Sequence, residues 1–237
     1  MAETSRKSDL GVRLASATVM ILVTGAALYI GGWVLTTFVA LAGVVLLAEW
    51  WGLVRRFAFS ATARLAWAAG GVVYIGTACV SLLFMPPGLR WLVILVVIAV
   101  DSCAYFAGRR FGRRKIAPSI SPSKTWAGLY GGMAGATLVV TGAWLLIAIA
   151  VSGLGARPMS VVDVVARYPL ALLAVMVSGC MLAVLAQAGD FFESWMKRRA
   201  GVKDSGTLLP GHGGLLDRID GLIPVAIAAG ILSSVAW

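Results

Sequence analysis

Seven apolar stretches, each close to the 20 or so residues that an α-helix needs to cross a bilayer, leave this chain few folds to choose from. They run from Val12 to Ile30, Trp33 to Val54, Leu65 to Met85, Trp91 to Ala107, Ala127 to Val151, Pro169 to Ala188 and Leu215 to Trp237. Backbone groups in lipid must bond within their own segment, so runs of this length predict helices and not strands. Composition agrees: 60% of residues are hydrophobic and 13% charged, where soluble domains carry roughly a quarter charged. The fold class is therefore all-α, a polytopic integral membrane helical bundle of about seven transmembrane helices. Residues 1–237 read as a single membrane domain, with scaffold helices over 1–100 and a catalytic region with a cytoplasm-facing polar cavity over 101–224. The first stretch lacks a small-residue cleavage site after it and reads as a retained helix.

Basic residues set the orientation, because cytoplasmic loops collect Lys and Arg. With a cytoplasmic N terminus, 17 of the 20 fall in inner segments, and only Arg90, Arg157 and Arg167 lie outside. An even helix count breaks that separation. The net charge of +10 then reads as topology and attraction to anionic headgroups, with no nucleic-acid partner. Glu49 is the one acid in the first hundred residues that falls inside an apolar stretch. Beside Trp50 and Trp51, it reads as a carboxylate snorkelling at the interface. Cys79, Cys103 and Cys180 show no paired spacing and read as small apolar packers.

Polar chemistry begins at Asp101 and concentrates after Gly189. Ionisable groups at membrane depth are costly and usually mark a substrate or ion path. In the inner loop, Ser121, Ser123, Lys124 and Thr125 offer hydroxyls and a compact cation just before a helix expected from Trp126, whose free N–H groups favour an anion. Arg109 to Lys115 read as topogenic. Farther on, Asp190 and Glu193 lie three apart and share a helix face, a spacing repeated by Asp217 and Asp220. If the last helix starts near Gly214, those two acids point one way, roughly 5 to 9 Å along it. Paired acids in a low dielectric repel unless a proton or cation sits between them, and Mg²⁺ with waters and substrate phosphates suits such a set. Between them, Pro210 to Gly214 make a glycine-dense turn that can approach an anion closely, with His212 as an orienting or phosphate-contacting group.

The stretch S-W-M-K-R, four residues, K-D-S-G, two residues, L-P-G-H-G-G-L-L-D-R-I-D, from Ser194 to Asp220, resembles the signature of the phosphatidate cytidylyltransferase family at every defining position. D-S-x-A-Y from Asp101, S-P-x-K-T-W from Ser121 and G-D-x-x-E-S from Gly189 are also similar to the family pattern. The resemblance covers Asp101 to Pro224. It implies a nucleotidyltransferase of phospholipid biosynthesis that takes CTP and phosphatidic acid and gives CDP-diacylglycerol and pyrophosphate. Mg²⁺ is the implied cofactor, a second cation is left open, and so is a homodimer. The implied location is a bacterial inner membrane, with the site facing the cytoplasm among membrane lipids. Asp190 and Asp217 would bind metal with Asp220 beside them, and Asp190, Asp217 and Lys124 would be the catalytic set. Lys124, Lys197, Arg198, Lys203 and Arg218 would hold phosphates, with Ser121, Ser123, Thr125, Glu193, Asp204 and His212 completing the substrate contacts. A cation-coupled transporter is the rival of a different class, and it requires midplane acids and a repeated half that this sequence does not display.

Overall fold

The computed structural model describes residues 2–154, 158–209 and 213–235. It is built almost wholly of helices: α1 (Ala2–Ile30), α2 (Gly32–Phe57), α3 (Ala61–Phe84), α4 (Pro87–Phe111), α5 (Trp126–Gly153), α6 (Val161–Arg167), α7 (Pro169–Arg199), α8 (Leu216–Ile219) and α9 (Leu222–Val235). A short antiparallel pair, β1 (Lys115–Ala117) and β2 (Ser121–Thr125), interrupts them. Among the described residues, α2, α3, α4, α5 and α7 are long and apolar enough to cross a membrane. The protein is thus an all-α, multi-pass membrane protein. The remaining two expected stretches appear as shorter apolar helices, Leu14–Ile30 within α1 and Leu222–Ser234 within α9.

The boundaries follow from local chemistry. Gly31 and Gly32 take φ of 66° and 51°, a left-handed turn that only glycine adopts cheaply, and this separates α1 from α2. Ser60 caps α3 by accepting from the Ala63 N–H at 3.1 Å, and Thr125 caps α5 by accepting from the Gly128 N–H at 3.1 Å. The expected helix from Leu215 to Trp237 is broken at Asp220 and Gly221. Pro224 has no N–H to give the Asp220 carbonyl, so a continuous helix would lose a rung there, whereas Pro in the first turn of α9 costs nothing.

The chain forms two compact units. Residues 1–87 and 190–237 make the first, in which α2 packs on α1, α3 and α8, and α3 on α9. Its core gathers Leu46, Trp50, Leu53, Val54, Ile75, Met196, Leu216 and Ile223. Trp50 is the centre of an aromatic cluster, 6.1 Å from Trp67, 6.1 Å from Tyr74 and 5.8 Å from Phe192. Its indole N–H donates to the Trp67 carbonyl at 2.8 Å, and Gly71 leaves the space that the ring occupies.

Residues 88–189 make the second unit. A glycine face on α5 lies against the α4 backbone. A Cβ at Gly131 would fall 2.7 Å from the Cys103 carbonyl oxygen, and one at Gly135 2.8 Å from that of Ala99. Small residues permit this approach, the usual device where helices pack in lipid. At the end of α4, a Cβ at Gly112 would lie 2.8 Å from Thr125 Oγ1, so the same economy seats the hairpin and the start of α5.

Candidate active site

The acidic signature is assembled inside the first unit by one long helix, one reversal and one short helix. α7 runs 31 residues, and Asp190, Glu193 and Lys197 near its end occupy a single face at i, i+3 and i+7. The helix stops in a Schellman turn. Val202 N–H reaches back to the Lys197 carbonyl at 3.0 Å and Gly201 N–H to that of Arg198 at 3.2 Å, with Gly201 at φ 68°. The chain then returns through Lys203 to Leu209, and Gly213, at φ 83°, pairs with Leu209 before α8 begins.

Asp217 on α8 closes this reversal. Its Oδ1 accepts from Lys197 Nζ at 2.6 Å, and Oδ2 accepts from the N–H groups of Ser205 and Gly214, each at 2.8 Å, and from Ser205 Oγ at 3.0 Å. Lys197 Nζ also meets Glu193 Oε2 at 2.5 Å, which makes a Glu193–Lys197–Asp217 chain with side chains 4%, 15% and 6% exposed. Burial works to raise the Asp217 carboxyl. Contacts with Glu193, Lys197 and the Gly214 and Ser205 amides more than offset it and hold the group at about 2.

Asp190 and Asp220 form the second focus. Asp190 is buried on α7, and the Asp220 carboxyl is in hydrogen-bond contact with it while accepting from its neighbour Gly221 N–H at 2.9 Å. Burial first, then the negative charge of Asp190 and Glu193, pushes Asp220 well above the usual carboxylate range. Glu193 Oε1 is buried with no hydrogen-bond partner. Among the described residues, no group of three or more His, Cys, Asp or Glu side chains forms a complete metal cage. Mg²⁺ does not need one, since it binds through one or two carboxylates with waters and phosphates. The Asp190–Asp220 pair supplies the two carboxylates that such an ion would require, with the rest of its shell left to water and phosphate.

Of the expected cations, Lys197 lies within this cluster. Arg198, Lys203 and Arg218 are exposed on the same unit, as is Asp204. His212 lies outside the described residues. Ser121, Ser123, Lys124 and Thr125 all stand on β2 in the second unit; Ser121 and Thr125 are buried, and Lys124 is partly so.

Comparison with known proteins bears on all of these residues. The sequence profile described as the Cytidylyltransferase family matches residues 61–236. The chain belongs to this family. A phosphatidate cytidylyltransferase of Brucella melitensis is 45% identical over 166 residues, which cover 68% of this chain and 54% of the relative. The protein of the same description from Pseudomonas aeruginosa is 34% identical over 212 residues, 83% of this chain and 72% of the relative, and that from Rickettsia bellii 30% over 234 residues, 95% and 91%. The chain thus spans about half the length of the Brucella relative and most of the Rickettsia one. Every site residue considered above falls within the segment shared with the family.

Two contributors were missed from the sequence. Ser205 sits in the K-D-S-G motif, and its amide and hydroxyl both donate to Asp217. Glu49, read as an interfacial carboxylate, instead accepts from the N–H groups of Leu215 and Leu216, each at 2.8 Å. The signal for Glu49 was its isolation, a lone acid inside the second apolar stretch.

Proposed function

We propose that this protein is a CTP:phosphatidate cytidylyltransferase, a nucleotidyltransferase that moves CMP from CTP to phosphatidic acid and forms CDP-diacylglycerol and pyrophosphate. The observation that carries this reading is that the matched signature folds into one buried carboxylate–lysine cluster, in a chain whose relatives bear that description.

The reaction needs no covalent enzyme intermediate. A phosphate oxygen of the lipid attacks the α-phosphorus of CTP in line, the bond to the β-phosphate's bridging oxygen breaks, and pyrophosphate leaves with that electron pair. Catalysis is then positioning and neutralisation of charge. Asp190, Asp217 and Asp220 are the residues we assign to hold Mg²⁺; Asp217 Oδ1 is the oxygen of that side chain not already committed to backbone amides. When bound, Mg²⁺ supplies Lewis-acid neutralisation of the phosphate oxygens. Lys197 bridges the Asp217 and Glu193 carboxyls, and the exposed Arg198, Lys203 and Arg218 attract phosphate from the water side. Lys124, with the hydroxyls of Ser121, Ser123 and Thr125, is assigned to a substrate phosphate.

The same reading places the protein in a bacterial inner membrane, with seven spans, a cytoplasmic N terminus and a cytoplasm-facing site. Its support is the 17 to 3 division of basic residues. Purified protein in mixed micelles, given phosphatidate, Mg²⁺ and CTP labelled at the α- or the γ-phosphate, tests the activity. Label from the α position should enter the lipid phase and label from the γ position should stay in water as pyrophosphate. Transfer of γ-label to lipid, or no consumption of CTP, would reject it.

A further inference from the structure

Glu49 lies outside residues 61–236, which the family profile matches, yet part of the signature is built around its carboxylate. Oε1 accepts from the Leu215 N–H at 2.8 Å; Oε2 accepts from the Leu216 N–H at 2.8 Å and from Ser205 Oγ at 3.0 Å. Two signature glycines keep the space it fills. A Cβ on Gly206 would fall 2.7 Å from Glu49 Oε1, and one on Gly214 2.6 Å from Oε2 and 2.7 Å from Oε1. Real Cβ atoms do not approach so closely, so glycine there and Glu49 on α2 are one packing solution.

The carboxylate also reaches the catalytic cluster through a single residue. Ser205 Oγ lies 3.0 Å from both Glu49 Oε2 and Asp217 Oδ2, while the Ser205 amide is fixed on Asp217. The helix carrying Glu49 is itself locked in place, because its neighbour Trp50 is buried against Phe192, which adjoins Glu193 on α7. A carboxylate is acceptor-only and can serve the two amides together with the Ser205 hydroxyl, whose single proton goes to Glu49 or to Asp217 but not to both at once. A glutamine of the same shape turns one oxygen into an N–H₂ donor facing an N–H or a hydroxyl.

We propose that Glu49 is a positioning residue for the CMP transfer, on which this inference rests: it ties Ser205 to the Leu215–Leu216 turn and so fixes where Asp217 stands relative to Lys197. It touches no reacting atom and acts through the backbone of the signature.

Purified wild type, Glu49→Gln, Gly206→Ala, Glu49→Ala and the Glu49→Ala/Gly206→Ala double variant test this by kinetics with α-labelled CTP and by hydrogen exchange of peptides covering 205–216. Glu49→Gln and Gly206→Ala should each lower kcat roughly 10- to 100-fold. KM for CTP should stay within about threefold, and exchange should speed up in 205–216 while α3 keeps its protection. Gly206→Ala should add less than about a twofold loss once Glu49 is Ala, because the obstructing carboxylate has gone. Glu49→Gln with kcat within about twofold of wild type overturns the proposal. So does faster exchange spread over the whole unit, or Gly206→Ala and Glu49→Ala losses that simply multiply. If Glu49→Gln does not fold, Gly206→Ala carries the same readouts. If the wild type transfers no CMP to phosphatidate, the proposed function falls, and the exchange of 205–216 still decides whether Glu49 is the clamp.

Discussion

Lys197 Nζ lies 2.6 Å from Asp217 Oδ1, an ion pair across 20 residues that fastens the end of α7 to α8. The same ammonium contacts Glu193, so one cation separates two carboxylates that are almost out of reach of water.

Replacing Lys197 by Met should therefore leave two buried carboxyls facing each other without their shared cation. Removing one partner of a buried pair costs about 3 to 5 kcal/mol. A thermal melt in detergent should show Lys197→Met unfolding well below the wild type, and Glu193→Gln added to it should recover part of the loss. Equal melting of Lys197→Met and wild type would mean that the pair carries no stability.

Asp190→Asn and Asp217→Asn each keep the side chain's size and remove a ligand charge. Turnover should fall at least roughly 100-fold, about 2.7 kcal/mol of barrier, with insertion in the membrane retained. Near-normal turnover of both variants at saturating Mg²⁺ would remove them from the metal site.

The Asp190–Asp220 contact gives the metal-free protein a pH dependence of defined sign. Asp220 titrates above its ordinary value of 3.8, so the folded state holds its proton more tightly than the unfolded one. Stability should then fall as pH rises above about 4 and level off once the raised value is passed. In chelator-treated samples, Asp220→Asn should reduce this slope. Mg²⁺ should restore stability at pH 8 to the wild type more than to Asp220→Asn. A flat wild-type profile between pH 5 and 8 would contradict it.

For Lys124, loss of a charge-assisted phosphate contact is worth about 1.5 to 3 kcal/mol. Catalytic efficiency of Lys124→Ala should fall roughly 10- to 150-fold, with CTP and phosphatidate varied separately to find which substrate it serves. Full specific activity would leave this lysine a purely topogenic role.

Topology is open to reporter fusions. A reporter after Trp237 should read as external, and one within residues 109–124 as cytoplasmic. An internal reading at Trp237 would mean an even number of crossings.

The apolar spans were legible because each is a continuous run, and the α1–α2 break because Gly31 and Gly32 announce it. Thr125 and Trp126 marked the start of α5 through capping chemistry that is local in sequence. The split of the last stretch was harder to see, since Gly221 and Pro224 lie inside an otherwise apolar run and only the lost rung at the Asp220 carbonyl separates α8 from α9. Pairing of Lys115–Ala117 with Ser121–Thr125 was hidden by Pro118 and Pro122, which read as loop. Glu49 was hidden for a different reason. Its partners are backbone N–H groups more than 160 residues away, and a backbone amide leaves no mark in the sequence of side chains.

At 31 residues, α7 rises about 46 Å, against a hydrocarbon thickness of about 30 Å. With a span that starts at Pro169, twenty residues are used up at Ala188, and the turns that carry Asp190, Glu193 and Lys197 come after it, at headgroup depth. A phosphate on a diacylated glycerol rests at that depth already. On the proposed function, the insoluble reactant would not need lifting from its leaflet and the nucleotide would not need to enter oil: two phases that do not mix would share one plane, at a height set by the helix's surplus length.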